Sequence, residues 1–470
     1  MVSGSLSPAL FEHARKIESV ARDHGLDFFE VVFEMLAASD VNAIAAYGGF
    51  PERHPSWRFG MDYERLQKGY SYGLSKIYEL VINNDPTYAY LVRSNSLMEQ
   101  KLVMAHVMGH ADFFKHNVWF GPTERHMIEV MGRHAERVRA VIDVHGHDRV
   151  ESFMDSVLSL DTLVDPYLPL REHSQAHGSA QSPVGHVERA RLSLDRVLAS
   201  FAADEIATPC EEPRAALPTY DVLGFLMEHA PLERWQQDVI RMTREEAYYF
   251  LPQRMTKIIN EGWASFWHSR ILTGGMLEAS EIVEFADCHS GATATGPGQL
   301  NPYKLGIELF RHAEQQGRDI FQLRRVHNDV SFIDQVVDAE FAARNQLFVY
   351  ERNPRTGRTE VSQRDWRAVK EQLLRELAWC GSPQIQLVDD DENGAGELLL
   401  VHRHEGRDLE LSEAGEMLQQ LAGLWGRPVH LLTLEERQGR RLTCTPEGVQ
   451  VVDSTRAIDL CGGERSAQAG

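Results

Sequence analysis

Apolar residues recur at helical spacing along most of the chain. The stretches "LFEHARKIESVARDHGL" and "DFFEVVFEMLAASDVNAIAAYG" predict two amphipathic helices that separate at Gly25. The stretch "MTKIINEGWASFWHSRIL", from Met255, is apolar almost all round a helix, which is typical of a buried helix. The pattern predicts that the chain is almost entirely helical up to about Asn345.

The periodicity changes beyond Asn345. "LFVYERNPRTGRTEVS" predicts a β-hairpin, and a second hairpin turns at Asn393-Gly394, a dipeptide that favours tight turns. Helices and further strands follow. We therefore predict a mainly α protein, with a large helical domain followed by a small α+β module. The predicted ranges are 1–345 for the helical domain, 346–455 for the module and 456–470 for a flexible tail, with a long His/Ser/Pro-rich excursion over 168–217.

Composition and charge narrow the class of protein. The 470 residues are 43% hydrophobic and 25% charged, which is an ordinary balance for a folded domain. A formal net charge of -21 repels phosphate backbones, so nucleic acid is not expected as a partner. The chain has neither an N-terminal secretory signal nor a run of about 18 uncharged apolar residues. We expect a cytoplasmic protein with no membrane span.

Four polar residues in apolar surroundings are the main candidates for chemistry. His106 and His110 are four apart and project from one face of a helix. Glu261 and His268 are seven apart and share a face of the buried helix. Buried carboxylates and imidazoles need partners, and one divalent metal shared by all four would satisfy them. Zinc is the first choice, while iron or manganese also suits such ligands.

A second interpretation needs no metal. In it, each buried histidine or glutamate belongs to a structural hydrogen-bond network, with Asp112 or backbone groups as partners. The sequence leaves both interpretations open.

Two short segments resemble the metal-binding motifs of gluzincin aminopeptidases. "NEGWA" looks like the segment that supplies their third zinc ligand, and "HVMGH" resembles their H-E-x-x-H helix, with Val107 in place of the glutamate. This analogy predicts zincin-like metal-site helices. Because that glutamate is the general base of the peptidases, a catalytic base must lie elsewhere. Glu246 and His289 are the candidates for catalytic residues.

Nearly the whole chain resembles the SpoVR (stage V sporulation protein R) family. The resemblance rests on long and chemically unusual blocks. They are "YGGFPERHPSWRFG", "GHADFFKHN", "REEAYYFLPQRMTKIINEGWASFWHS", "NPYKLGIELFR", "HNDVSFI" and "GELLLVHRHEGRDLEL".

The resemblance implies a biological context. It links the chain to formation of the spore cortex, a peptidoglycan layer, and to two partners, a PrkA-type serine kinase and a von Willebrand-type protein. We expect a metal-dependent hydrolase that acts on an amide or peptide-like bond of a cell-wall precursor. The alternative is a non-catalytic scaffold or regulatory partner of the kinase system. In the hydrolase hypothesis, the C-terminal module is expected to recruit a partner.

Overall fold

The computed structural model describes residues 2–71, 79–176, 217–295, 299–352 and 359–461. The helices in these ranges are α1 Pro8–Asp23, α2 Ala38–Ala46, α3 Trp57–Ser71, α4 Leu97–His116, α5 Met127–His145, α6 His147–Leu158, α7 Leu168–Ala176, α8 Val222–His229, α9 Arg234–Met255, α10 Lys257–Ile271, α11 Ile282–Thr293, α12 Pro302–Gln315, α13 Ile320–Val326, α14 Asp329–Val336, α15 Ala339–Arg344, α16 Trp366–Leu377, α17 Leu411–Trp425 and α18 Thr455–Cys461. The strands are β1 Val2–Ser5, β2 Val31–Leu36, β3 Glu79–Ile82, β4 Thr87–Val92, β5 Val349–Arg352, β6 Thr359–Gln363, β7 Ile385–Glu392, β8 Glu397–His402, β9 Val429–Glu435, β10 Gln438–Thr445 and β11 Gly448–Asp453.

The chain forms two compact units, and each unit combines two separate stretches. The first unit contains residues 1–140 and 252–374, and the second contains residues 141–251 and 375–470. The mainly α fold class is confirmed, as is a C-terminal sheet with packed helices. Most of the predicted excursion, residues 177–216, lies outside the described residues, and so does 462–470 of the predicted tail.

A four-stranded sheet in the first unit corrects the prediction of an almost entirely helical N-terminal part. Its strand order is β1-β2-β4-β3, with β2 parallel to both β1 and β4. The segment predicted as one helix therefore contains β2 and then α2. Val31, Val32 and Phe33 are β-branched or aromatic and fit a pleated, half-buried surface. Their pairing with β4, more than 50 residues away, outweighs the local helical spacing.

The core of the first unit is built around α10, which lies between α4 and α12. Two points of close backbone approach hold the three helices together. A Cβ on Gly109 of α4 would lie 2.7 Å from the Cα of Ala264, and a Cβ on Gly262 of α10 would lie 2.4 Å from the Cα of Gly306 of α12. Only glycine allows these contacts, so they fix the distance between the facing side chains.

The N-terminus of α10 is capped by a residue from a distant part of the chain. Asp329, buried at the start of α14, accepts hydrogen bonds from the backbone N–H groups of Ile258 and Ile259 at 2.9 and 2.8 Å. Burial raises the pKa of Asp329 to about 7, while these two hydrogen bonds lower it. The cap satisfies amides that a helix terminus leaves unpaired, and it ties α10 to α14.

The second unit contains a five-stranded sheet in the order β11-β10-β9-β8-β7. Strands β7 and β8 form the predicted hairpin, and Asn393 and Gly394 both have positive φ (64° and 67°), as the turn requires. Strands β8 and β9 are parallel, and α17 provides the crossover between them. The predicted tail begins instead with α18, which packs Ala457 and Cys461 on the sheet.

Within the described residues, no helix combines the length and apolar character needed to cross a bilayer.

Candidate metal centre

Helix α4 presents His106 and His110 from the same face, one turn apart. The helix is well defined at its start, where Ser96 and Glu99 form a reciprocal capping box. Both histidines are buried, and their ring centroids lie 4.5 Å apart in an edge-on arrangement. Two imidazoles are thus held close together inside the first unit.

Glu261 of α10 faces the two histidines across the contact between Gly109 and Ala264. Its Oε2 lies 3.3 Å from Nε2 of His106 and 3.6 Å from Nε2 of His110. Burial by itself raises the pKa of Glu261, but contact with the two imidazoles outweighs burial and holds this pKa well below its usual value. The carboxylate is therefore charged at neutral pH, as a metal ligand must be.

These three side chains form the group, among the described residues, that could hold one metal ion. One ligand atom from each of them lies within 4.8 Å of the others. Ligands bonded to one tetrahedral zinc at about 2.1 Å are about 3.4 Å apart, close to the separations of Glu261 from the two histidines. Two imidazoles and one carboxylate are also a ligand set found in zinc hydrolases. The residues fit a divalent metal.

The side-chain atoms that point away from the cluster are also hydrogen-bonded. Nδ1 of His110 lies 2.9 Å from Oδ1 of Asn260, and Lys257 donates to Oε1 of Glu261 at 2.7 Å. A bond from His110 Nδ1–H to Asn260 leaves the lone pair of His110 Nε2 directed at the cluster. Such an arrangement orients a metal-ligating histidine and fixes its tautomer.

His268 lies behind His106 rather than beside Glu261. Nδ1 of His268 is 2.9 Å from Nδ1 of His106, and its Nε2 is 3.1 Å from Nδ1 of His289 on α11. Burial lowers the pKa of His268 well below its usual value, and the neighbouring His106 and His289 imidazoles lower it further. His268 is therefore neutral, and it can accept from His106 while donating to His289. In this geometry His268 orients His106, and the triad is completed without it.

Ser265 is a further buried polar residue of α10. It lies on α10 between Glu261 and His268, is 1% exposed, and its hydroxyl has no hydrogen-bond partner among the described residues. A buried hydroxyl without a partner costs about 1–3 kcal/mol.

The predicted catalytic residues have different positions. His289 lies on α11 and is linked to the cluster through His268. Glu246 lies on α9 in the second unit and is half-buried, whereas Glu245 is exposed. Position 107 of α4 holds a completely buried valine. This position therefore offers no carboxylate that could act as the base does in the peptidases.

The metal-free interpretation loses the partner that the sequence suggested for it. Asp112 accepts from the backbone N–H of Asp27 and from the indole N–H of Trp263, and it pairs with Arg324. Its oxygens are thus committed to a different network on α4. The remaining metal-free arrangement has Glu261 accepting from both imidazoles, at the two distances given above.

Sequence reasoning missed three contributors to the site: Lys257, Asn260 and Tyr303. Asn260 adjoins Glu261, and Lys257 precedes Glu261 by one turn, so helical spacing could have identified both. Tyr303, at the start of α12, stacks on the ring of His106 with centroids 6.2 Å apart. No local signal in the sequence connects it with α4.

Comparison with known proteins places the chain in a family. The model of the family described as "SpoVR like protein" matches residues 6–382, and "SpoVR-like C-terminal domain" matches residues 383–436. The chain is 27% identical over 463 residues to "Uncharacterized protein YcgB" from Escherichia coli (strain K12), covering 88% of this chain and 90% of that protein. No solved structure matches it significantly. Since the first model alone spans most of the chain, the protein belongs to the SpoVR family.

Proposed function

We propose that this protein is a metal-dependent hydrolase that cleaves an amide or peptide-like bond. One observation carries the proposal: His106, His110 and Glu261 are buried with their ligand atoms converging, and each has a further partner that orients it. Zinc is the expected metal, because this ligand set recurs in zinc hydrolases, and iron or manganese is the alternative.

The chemistry follows from the ligand set. A divalent ion held by three protein ligands acts as a Lewis acid towards a carbonyl oxygen and lowers the pKa of water. The chain orients the ligands: Asn260 fixes the ring of His110, His268 fixes the ring of His106, and Lys257 binds the second oxygen of Glu261. The buried surroundings of the cluster exclude bulk water and strengthen these interactions.

The general base must be a residue outside the motif on α4, because Val107 replaces the glutamate that serves as the base in the peptidases. Glu246 stays the residue that the sequence suggests for this role. His289 is proposed to exchange protons with solvent, since it is less buried than His268 and bonded to it.

The biological setting is proposed from the family. The substrate would be a cell-wall precursor in the cytoplasm, and a PrkA-type serine kinase and a von Willebrand-type protein would be the partners.

Metal analysis tests the proposal directly. Protein purified under metal-replete conditions is expected to contain about one divalent ion per chain by elemental mass spectrometry. The His110→Ala variant should lose it while keeping its helical circular dichroism. His327→Ala is the matched control, because His327 is a buried histidine of the same unit that bonds to Ser331 and not to the cluster. Wild-type protein without metal would refute the proposal.

The second candidate is a non-catalytic scaffold or regulatory partner of the kinase system. The observation that favours it is Val107, which leaves the motif on α4 without its usual base. An assay for newly released amino groups distinguishes the two functions. New amino groups should appear when metal-loaded protein is incubated with peptidoglycan-derived peptides, and fail to appear with His110→Ala. Metal-loaded protein inactive on every peptide tested would favour the scaffold.

A further inference from the structure

We propose that Lys257 binds an anionic oxygen of the substrate beside the metal cluster, with Tyr303 forming the adjacent wall. This inference rests on the proposed function, which it deepens by assigning the chemical class of the bound group. The group is a carboxylate, a hydroxamate-like anion, or a carbonyl oxygen that gains negative charge during reaction.

The position of Lys257 is unfavourable for the helix that carries it. Lys257 is the first residue of α10, where the partial positive charge of the helix N-terminus disfavours a cation. An ion pair between residues four apart in a helix is weaker when the lysine precedes the glutamate, as Lys257 precedes Glu261. The buried Asp329 carboxyl at the same helix end reduces this cost. Helix stability alone therefore does not account for a lysine here.

The Lys257 ammonium has donors left for a ligand. A lysine ammonium carries three N–H groups, and among the described residues one acceptor is bonded to it, Oε1 of Glu261 at 2.7 Å. The Lys257 side chain is 56% exposed, whereas Glu261 is buried. The ammonium thus lies where the buried cluster meets solvent, with two N–H groups available to a molecule that approaches the cluster.

Tyr303 completes the arrangement from α12. Its ring is roughly parallel to the ring of His106, at an interplanar angle of 27° and a centroid distance of 6.2 Å. Nζ of Lys257 lies 5.9 Å from the centroid of the same ring. Tyr303 therefore adjoins both a proposed metal ligand and the lysine, and it covers one side of the space between them.

The geometry defines what would bind best. A group with two oxygens could place one at the cluster of His106, His110 and Glu261 and the other on Lys257. Hydrogen bonds to charged groups contribute more to binding than hydrogen bonds between neutral groups. A neutral ligand without a second oxygen would lose this contribution.

Cobalt-loaded protein provides a test that does not depend on turnover. The protein is titrated with acetohydroxamate, and binding is followed through the visible absorption of cobalt(II). We expect Lys257→Met to weaken binding about tenfold, and Lys257→Arg to remain close to wild type. Lys304→Met is the matched control, because Lys304 is an exposed lysine next to Tyr303 whose ammonium bonds to Thr295 instead of Glu261. Cobalt content is measured for each variant before titration.

The outcomes separate the two proposals. Loss of acetohydroxamate affinity in Lys257→Met, with cobalt bound as tightly as in wild type and with the affinity kept in Lys257→Arg and Lys304→Met, supports the inference. A loss that accompanies weaker cobalt binding overturns it, since displacement of Glu261 would then explain the effect. Equal affinity of wild type and Lys257→Met, with cobalt bound in both, overturns the inference and leaves the metal centre standing. An equal loss in Lys304→Met also overturns it, since general charge would then explain the effect. A wild-type protein that takes up no cobalt removes the proposed function and the inference together.

Discussion

Replacing Gly109 by alanine should disturb the proposed metal centre without changing any of its proposed ligands. The added Cβ would lie 2.7 Å from the Cα of Ala264, whereas ordinary contact begins near 3.4 Å. Helices α4 and α10 would therefore have to separate by about 0.7 Å at this point. The three nearest atoms are Cα, Cβ and N of Ala264, which cannot rotate away as a long side chain would.

The size of the effect follows from the ligand distances. Nε2 of His106 and Oε2 of Glu261 are 3.3 Å apart in the wild-type protein, close to the distance expected between two ligand atoms of one zinc ion. An added 0.7 Å is about a third of a zinc–ligand bond, so we expect metal affinity to fall at least tenfold. Overpacking of this kind also destabilises a core by about 1–3 kcal/mol.

Two measurements check the prediction. Metal affinity is obtained by competition with a chromophoric chelator, and the free energy of unfolding by urea titration. Gly60→Ala is the control, because Gly60 lies within α3 and a Cβ there meets no atom within 4 Å. That change should leave affinity unaltered and stabilise the helix by up to about 1 kcal/mol. If Gly109→Ala binds metal as tightly as wild type, the close approach of α4 and α10 does not set the ligand spacing.

Two other predictions concern Asn260 and His402. Asn260→Ala removes the acceptor for Nδ1 of His110, so metal affinity, measured by chelator competition, should fall about 10–100-fold. Asn260→Asp keeps an acceptor and should bind metal as tightly as wild type. Burial lowers the pKa of His402 in β8 to about 4, below the value of about 6.5 in an unfolded chain. As pH falls from 6.5 to 4, the unfolded state takes up a proton that the folded state does not, so stability decreases with falling pH. Between pH 7 and pH 4.5, the free energy of unfolding, measured by urea titration, should drop by about 2–3 kcal/mol more in wild type than in His402→Gln. An equal drop in the two proteins would contradict this.

Local chemistry made part of this structure predictable. The Asn393-Gly394 turn specifies a hairpin through its own backbone preferences, and the structure has that hairpin. The apolar circumference of α10 correctly indicated a buried helix. Strand β2 was missed because its six residues are stabilised by β4, a partner that no window around β2 contains.

The candidate site was likewise predictable only in part. Helical spacing identified His106, His110 and Glu261, because residues on one face of a buried helix share an environment. Sharing one face of a helix, however, does not bring two side chains to one point. Glu261 and His268 are separated by about 10.5 Å of helix rise, and the ring of His106 extends from one to the other. Spacing alone therefore grouped His268 with the ligands, whereas the structure places it behind one of them.

The cap that Asp329 provides for α10 has a consequence for biosynthesis. The imidazoles of α4 leave the ribosome more than 150 residues before Glu261, and Asp329 follows nearly 70 residues later. Until that aspartate has been translated, the first amides of α10 have no acceptor from α14 and the cluster lacks its supporting frame. Assembly of the proposed centre is thus a late event in translation, and nascent chains that stop short of α14 are expected to lack an ordered site for a metal ion.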